Sequence, residues 1–140
     1  MKNLLIPIDG SEYSQRALEK GMEMAVAFDS NVTLLNVKNS FIPQLTVIEI
    51  KHIAEVINNN SEEILSNAKK YLSTKVENVE TLSMEGDVAS VIINYINSND
   101  FDLVIMGSQG LNSGKIKGLF LGSTTNKVIH NIEKPILVIR

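Results

Sequence analysis

Leu103-Val104-Ile105-Met106-Gly107-Ser108-Gln109-Gly110 is an uncharged aliphatic run that breaks off into a glycine-punctuated turn. Such a run, from Leu103 to Met106, is what a parallel strand covered on both faces requires. The glycines that follow let the backbone turn tightly and approach a ligand. Outward from it, four more short apolar runs are predicted strands: Leu4 to Ile8, Val32 to Val37, Val79 to Met84 and Ile136 to Ile139. The first and last are nearly continuous in Leu, Ile and Val, whereas Val79 to Met84 alternates with polar residues.

Between these runs the apolar period becomes helical. After Ser11, an N-cap candidate, Ala17, Leu18, Gly21, Met24, Ala25 and Phe28 form one stripe. A long second helix is predicted from about Thr46 to about Lys75 on Ile50, Ile53, Ile57, Ile64, Ala68, Tyr71 and Leu72, with Asn58-Asn59-Asn60 a candidate break. Val88, Val91, Ile92, Tyr95 and Ile96 mark a third helix, and Val128, Ile129 and Ile132 a fourth. Strands alternating with helices over short connections imply βαβ units, hence a doubly wound α/β domain with a mainly parallel sheet and helices on both faces. No linker, repeat or composition shift interrupts the 140 residues, so residues 1–140 read as a single domain.

In this class, ligands sit beyond the carboxyl ends of the strands, where strand order reverses. Two predicted strand ends carry unusual chemistry: Asp9-Gly10-Ser11 after the first, and Gly107 to Gly110 after the fourth. Side by side, they would line one crevice. Pro7 is in tension with a central first strand, because proline removes a ladder donor. The apolar run outweighs it, with Pro7 placed where the ladder opens toward the site.

Five of the eight glycines lie between Gly107 and Gly122. Converging backbone N–H groups there suit phosphate oxygens. Gly122-Ser123-Thr124 opens the last helix, whose free N–H groups and positive dipole end favour an anion. Single glycine turns and Ser-Thr caps are common structural devices, and it is their succession after a buried strand that points to a ligand. Gly110 to Ile116 is no P-loop, being one residue short between its glycines and having Ile116 where a magnesium-binding hydroxyl belongs. The first strand lacks the dinucleotide GxGxxG, which argues against a Rossmann oxidoreductase.

A net charge of −3 and a pI near 5.4 argue against a broad nucleic-acid footprint. With no cysteine, disulfides, thiolate zinc sites and cysteine nucleophiles are excluded. The first apolar run ends at Asp9, well short of a signal-peptide core or membrane span, so a cytoplasmic protein without membrane attachment is expected. His52 and His130 each fall on a predicted helix without a spaced nucleophile, and no catalytic constellation or metal cage is visible. Lys115 and Lys117, inside the loop, and Lys127 on the last helix either reach a polyphosphate or stay solvated, the usual state of exposed charged side chains.

The pattern as a whole resembles the universal stress protein family. The resemblance is carried by Leu4 to Glu12, by Leu34-Leu35-Asn36-Val37, by Glu85-Gly86-Asp87, by the fourth run with its glycine loop, and by Pro135 to Arg140. It implies sheet order 3-2-1-4-5 and binding of an adenine nucleotide, ATP, with magnesium or manganese arriving on its phosphates. Asp9 and Val37, with Pro7 nearby, would frame adenine and ribose. Met106, Gly107, Gly110, Gly122, Ser123 and Thr124 would approach ribose and phosphates. Nucleotide-binding members carry glycine, two residues, glycine, nine residues, then glycine with Ser or Thr, but here eleven residues, Leu111 to Leu121, precede Gly122. The insertion either bulges outward or displaces the phosphate-facing amides.

The resemblance also implies a homodimer through Ile136 to Ile139, an apolar edge open to strand pairing. The expected function is an ATP-binding stress-response regulatory module in which nucleotide orders the Leu111 to Leu121 loop. A stress-associated dimeric scaffold that binds no nucleotide, and a slow ATPase, are the alternatives.

Overall fold

Strand β1 (Asn3–Pro7) lies at the centre of a five-stranded sheet, flanked by β2 (Asn31–Asn39) and β4 (Leu103–Gly107). Outside them are β3 (Val79–Gly86) beside β2 and β5 (Ile136–Ile139) beside β4, so the order is β3-β2-β1-β4-β5 and every pairing is parallel. The computed structural model describes residues 1–40, 46–111 and 120–140. The expected doubly wound sheet, with order 3-2-1-4-5, is the observed one.

Side chains of β1 alternate between two apolar layers, as the strand period demands. Leu4, Ile6 and Ile8 pack with Ala17, Leu18 and Ala25 of α1 (Glu12–Phe28) and Leu65, Ala68 and Leu72 of α2 (Val47–Leu72). Leu5 turns the other way, toward Ile92 and Ile96 of α3 (Val88–Ser98) and Val128 of α4 (Ser123–Asn131). Each fully buried Leu or Ile contributes about 1.5–3 kcal/mol of transfer free energy.

Pro7 sits where its chemistry permits. Ile8 N–H donates to Leu35 O at 2.8 Å. Hydrogen-bonding groups alternate sides along a strand, so the nitrogen of Pro7 faces β4. There the β1–β4 register runs only through Leu4↔Leu103 and Leu5↔Val104. The ladder has already parted, and the missing N–H costs nothing.

Local signals account for three of the four described helix starts. Ser11 Oγ accepts from Ser14 N–H at 3.1 Å and caps α1, while Asp29 ends that helix in the left-handed conformation at φ 51°. Thr46 and Glu49 form a reciprocal capping box at the start of α2. Asp87 caps α3 through Ser90 N–H at 3.0 Å.

Two expectations about local structure need correction. The second helix does not break at Asn58-Asn59-Asn60 but runs unbroken through them. Asparagine costs at most about 0.7 kcal/mol per helical position, and the buried Ser61, Leu65, Ala68 and Leu72 that follow hold the helix to the sheet. The predicted apolar stripe is accordingly buried only in its second half, with Ile53 exposed alongside Val47, Ile48 and Val56. The third strand extends past Met84 to Gly86, paired through Asn39↔Gly86. Its polar alternation reflects an edge position, since Leu82 and Met84 cover α3 while Glu80, Thr81, Ser83 and Glu85 are exposed.

Candidate functional site

The parting of β1 from β4 opens a crevice at the carboxyl end of the sheet. Its inner part, a cavity of about 80 Å³, is lined by Pro7, Asp9, Val37, Met106, Gly107, Gly110 and Thr124. A contiguous outer part of about 340 Å³ shares Asp9, Val37, Gly110 and Thr124 and adds Gly122 and Ser123. The nine residues singled out from the sequence thus border one continuous space.

Asp9 ties the crevice together. Its Oδ1 accepts from Ser11 N–H at 2.9 Å, and its Oδ2 accepts from Leu111 N–H at 3.2 Å. The carboxylate therefore shapes the turn into α1 and also holds the loop after β4. Each oxygen keeps a further lone pair for a ligand donor. Gly110 makes this approach possible, because a Cβ there would lie 2.8 Å from Asp9 Oδ2. Gly107 is pinned from the other side, where a Cβ would lie 2.8 Å from the Tyr13 backbone.

The two ends of the long glycine loop are stitched to each other. Gly122 N–H donates to Ser108 O at 2.7 Å, Gln109 Nε2 to Phe120 O at 2.7 Å, and Thr125 Oγ1 to Gly107 O at 2.8 Å. These bonds fix the start of α4 relative to the end of β4. The loop's interior, residues 112–119, with Gly114, Lys115, Lys117 and Gly118 and the expected insertion, lies outside the described residues.

The start of α4 differs from the other helix starts. Helices α1, α2 and α3 are capped by the side chains of Ser11, Thr46 and Asp87, but the N-cap of α4 is Gly122, which supplies no side-chain bond. The first intrahelical bond of α4 runs from Asn126 N–H to Gly122 O. The preceding amides, Ser123 to Thr125, have no intrahelical acceptor, and Ser123 and Thr124 border the outer cavity. The opposite wall is apolar, with Val37 facing the crevice beside Val88. One end of the space suits a ring, and the other an anion.

Three crevice residues escaped the sequence reading. Val88 borders both cavities because the Asp87 cap starts α3 at the mouth of the crevice. Asn36, buried on β2, donates from Nδ2 to Ile8 O at 2.8 Å and so supports the backbone leading to Asp9. The Glu85-Gly86-Asp87 stretch was a usable signal for Val88, whereas Asn36 carried none. The third is Gln109, in the inner cavity, which the glycine spacing treats as a spacer. His52 and His130 are both exposed, the latter with Nδ1 2.7 Å from Asn126 O. Among the described residues no group of His, Asp or Glu could hold a metal ion. No described helix is long and apolar enough to cross a membrane.

A doubly wound α/β domain with a crevice at the switch point, apolar at one end and lined by free amides at the other, defines a class of small-ligand-binding folds. Comparison with known proteins makes the assignment specific. The sequence model of the universal stress protein family matches residues 1–140, and the chain belongs to that family. It is 28% identical over 146 aligned positions to the universal stress protein YxiE of Bacillus subtilis, with 98% of this chain and 97% of the relative covered. Its fold matches that of the universal stress protein UspA from Lactobacillus plantarum with a TM-score of 0.86 at 24% identity, covering 99% and 97% of the two chains. Two more distant fold relatives are a universal stress protein in complex with cAMP, at TM-score 0.75 and 19% identity, and one from Archaeoglobus fulgidus in complex with dAMP, at TM-score 0.68 and 16% identity. The alignment covers 99% and 100% of this chain, and 97% and 98% of theirs, respectively.

Proposed function

We propose that this chain is a nucleotide-binding regulatory module of the stress response that takes ATP in the crevice between β1 and β4. The observation that carries the reading is the uncapped start of α4 at Gly122, opening on the same space as Val37 and Asp9. Adenine lies against Val37 with Pro7 nearby, Asp9 accepts from the base or ribose, and Met106 borders the ribose. Phosphates run past Gly107, Gly110 and Gly122 to the amides of Ser123 and Thr124, where oxygens meet donors and a positive dipole end. Magnesium or manganese travels with the phosphates, which need few protein ligands. Two fold relatives whose structures were determined in complex with adenine nucleotides, cAMP and dAMP, support the ligand class.

The reading is one of binding and signalling rather than turnover. Rapid hydrolysis needs a positioned water and a group to orient it at the γ-phosphate, and the described crevice offers hydroxyls and backbone amides for holding the ligand. Nucleotide occupancy instead orders residues 111–121, changing a surface offered to a partner in the cytoplasm. A second copy pairs along the open edge of β5.

Mass spectrometry of small molecules released from freshly purified, denatured protein tests this directly, backed by calorimetric ATP titration. Copurifying adenine nucleotide and a saturable heat are expected. Clean protein without ATP heat would instead favour the dimeric scaffold, a reading supported by the two extra residues between Gly110 and Gly122.

A further inference from the structure

We propose that Gln109 reads the sugar of the bound nucleotide, its side-chain amide bridging the closing end of the glycine loop and a ribose hydroxyl. The inference rests on the nucleotide reading and adds which group of the ligand meets which atom of the protein.

Gln109 is only 7% exposed and borders the inner cavity. Its Nε2 donates to Phe120 O at 2.7 Å. That contact sets the amide orientation, since a backbone carbonyl can only accept and the flipped amide would oppose two oxygens. Oε1 is then committed to a different direction. It is buried and, among the described residues, has no hydrogen-bond partner. A buried amide oxygen left without a donor is costly, so the site calls for one.

The chemistry of the ligand narrows the donor. Phosphate oxygens only accept, so they belong at the free amides of α4 and would be repelled by Oε1. The base belongs at the apolar end beside Val37. Gln109 shares the inner cavity with both Val37, of the apolar end, and Thr124, of the α4 end. The group between a base and its phosphates is the sugar, and a ribose hydroxyl is a neutral donor that fits a neutral acceptor. Because the same amide holds Phe120 O, sugar recognition and the anchoring of the loop's last turn act through one side chain.

Calorimetric titration of the full chain with ATP, 2′-deoxyATP and 3′-deoxyATP tests the proposal. One of the two deoxy analogues is expected to bind about tenfold more weakly than ATP. In the near-isosteric Gln109→Met that difference disappears, while ATP itself still binds. Equal affinity of the wild-type chain for all three nucleotides overturns the proposal and leaves the nucleotide reading intact. Discrimination that survives in Gln109→Met overturns it too, by placing the sugar contact elsewhere. A wild-type chain that binds none of them overturns both readings together. Should Gln109→Met fail to fold, as judged by circular dichroism, Gln109→Ala takes its place in the same comparison, with the same outcomes.

Discussion

Asp9 and Leu111, 102 positions apart, are joined by a hydrogen bond from the Leu111 N–H to Asp9 Oδ2 at 3.2 Å. The bond ties the turn after β1 to the loop after β4, the two halves of the crevice. Asp9→Ala removes the acceptor and frees the Ser11 and Leu111 amides at once. The expected result is at least about a tenfold loss of ATP affinity, on the scale of one charged hydrogen bond. Faster amide exchange at Leu111 should accompany it. Unchanged ATP affinity in the variant would confine Asp9 to shaping the turn.

Gly107 and Gly110 should separate stability from binding. A Cβ at 107 meets the Tyr13 backbone, which is part of α1 and has little room to yield, so Gly107→Ala is expected to cost about 1–3 kcal/mol in denaturant unfolding. At 110 the Cβ meets only the Asp9 carboxylate, which can swing aside. Gly110→Ala should therefore weaken ATP binding with little change in unfolding midpoint. Equal loss of stability in both variants would contradict this division.

The capping box of α2 offers a test away from the crevice. Thr46→Ala removes the acceptor of Glu49 N–H and should cost about 1 kcal/mol, read as a lowered Tm. Because the first half of α2 is exposed, hydrogen exchange should show the loss there and not at Leu65 to Leu72. Uniform loss along the helix would mean that its two halves melt as one unit.

Asp87 links stability to acidity. The Ser90 hydroxyl and then the Ser90 N–H, both donating to Asp87 Oδ2, hold its carboxyl below the usual carboxylate value, with Lys127 adding a smaller pull. The folded value lies under the unfolded one, so the charged cap stabilises fully above the ordinary carboxylate range, near about pH 4. That contribution is lost as pH falls through the depressed value. Melting of wild type and Asp87→Asn should differ at pH 7 and converge in acid. A gap between them that ignores pH would rule out the charge as its source.

Strand β5 pairs with β4 on one side and all its residues are half-buried. Its other edge, toward which the N–H of Val138 points, is expected to accept a second copy, giving a dimer in sedimentation at micromolar concentration and monomer for a Val138→Pro variant that still folds. Wild type that sediments only as monomer would remove β5 as an interface.

How far the sequence could be read depended on whether a residue's role was local. Ser11 announces a helix start through chemistry that acts within a few positions, as the Thr46 and Asp87 caps do in the structure, and the five aliphatic runs announce strands through burial alone. The Asn58 to Asn60 run misled because its local preference is weak beside the packing of Leu65, Ala68 and Leu72. Crevice residues were legible where glycine or a strand-end carboxylate marked them. Gln109 and Asn36 were not, since their importance lies in partners eleven and twenty-eight positions away, Phe120 and Ile8, which no spacing rule connects.

The bonds that hold Gly122 against Ser108 and Phe120 against Gln109 set the end points of the intervening segment independently of its contents. The entropy of closing a segment grows only with the logarithm of its length, so going from nine to eleven residues costs about 0.2 kcal/mol. The span between Gly110 and Gly122 is therefore a tolerant insertion point, where residues can be added or exchanged at little expense to the scaffold, and new surface chemistry can be tried within reach of the crevice.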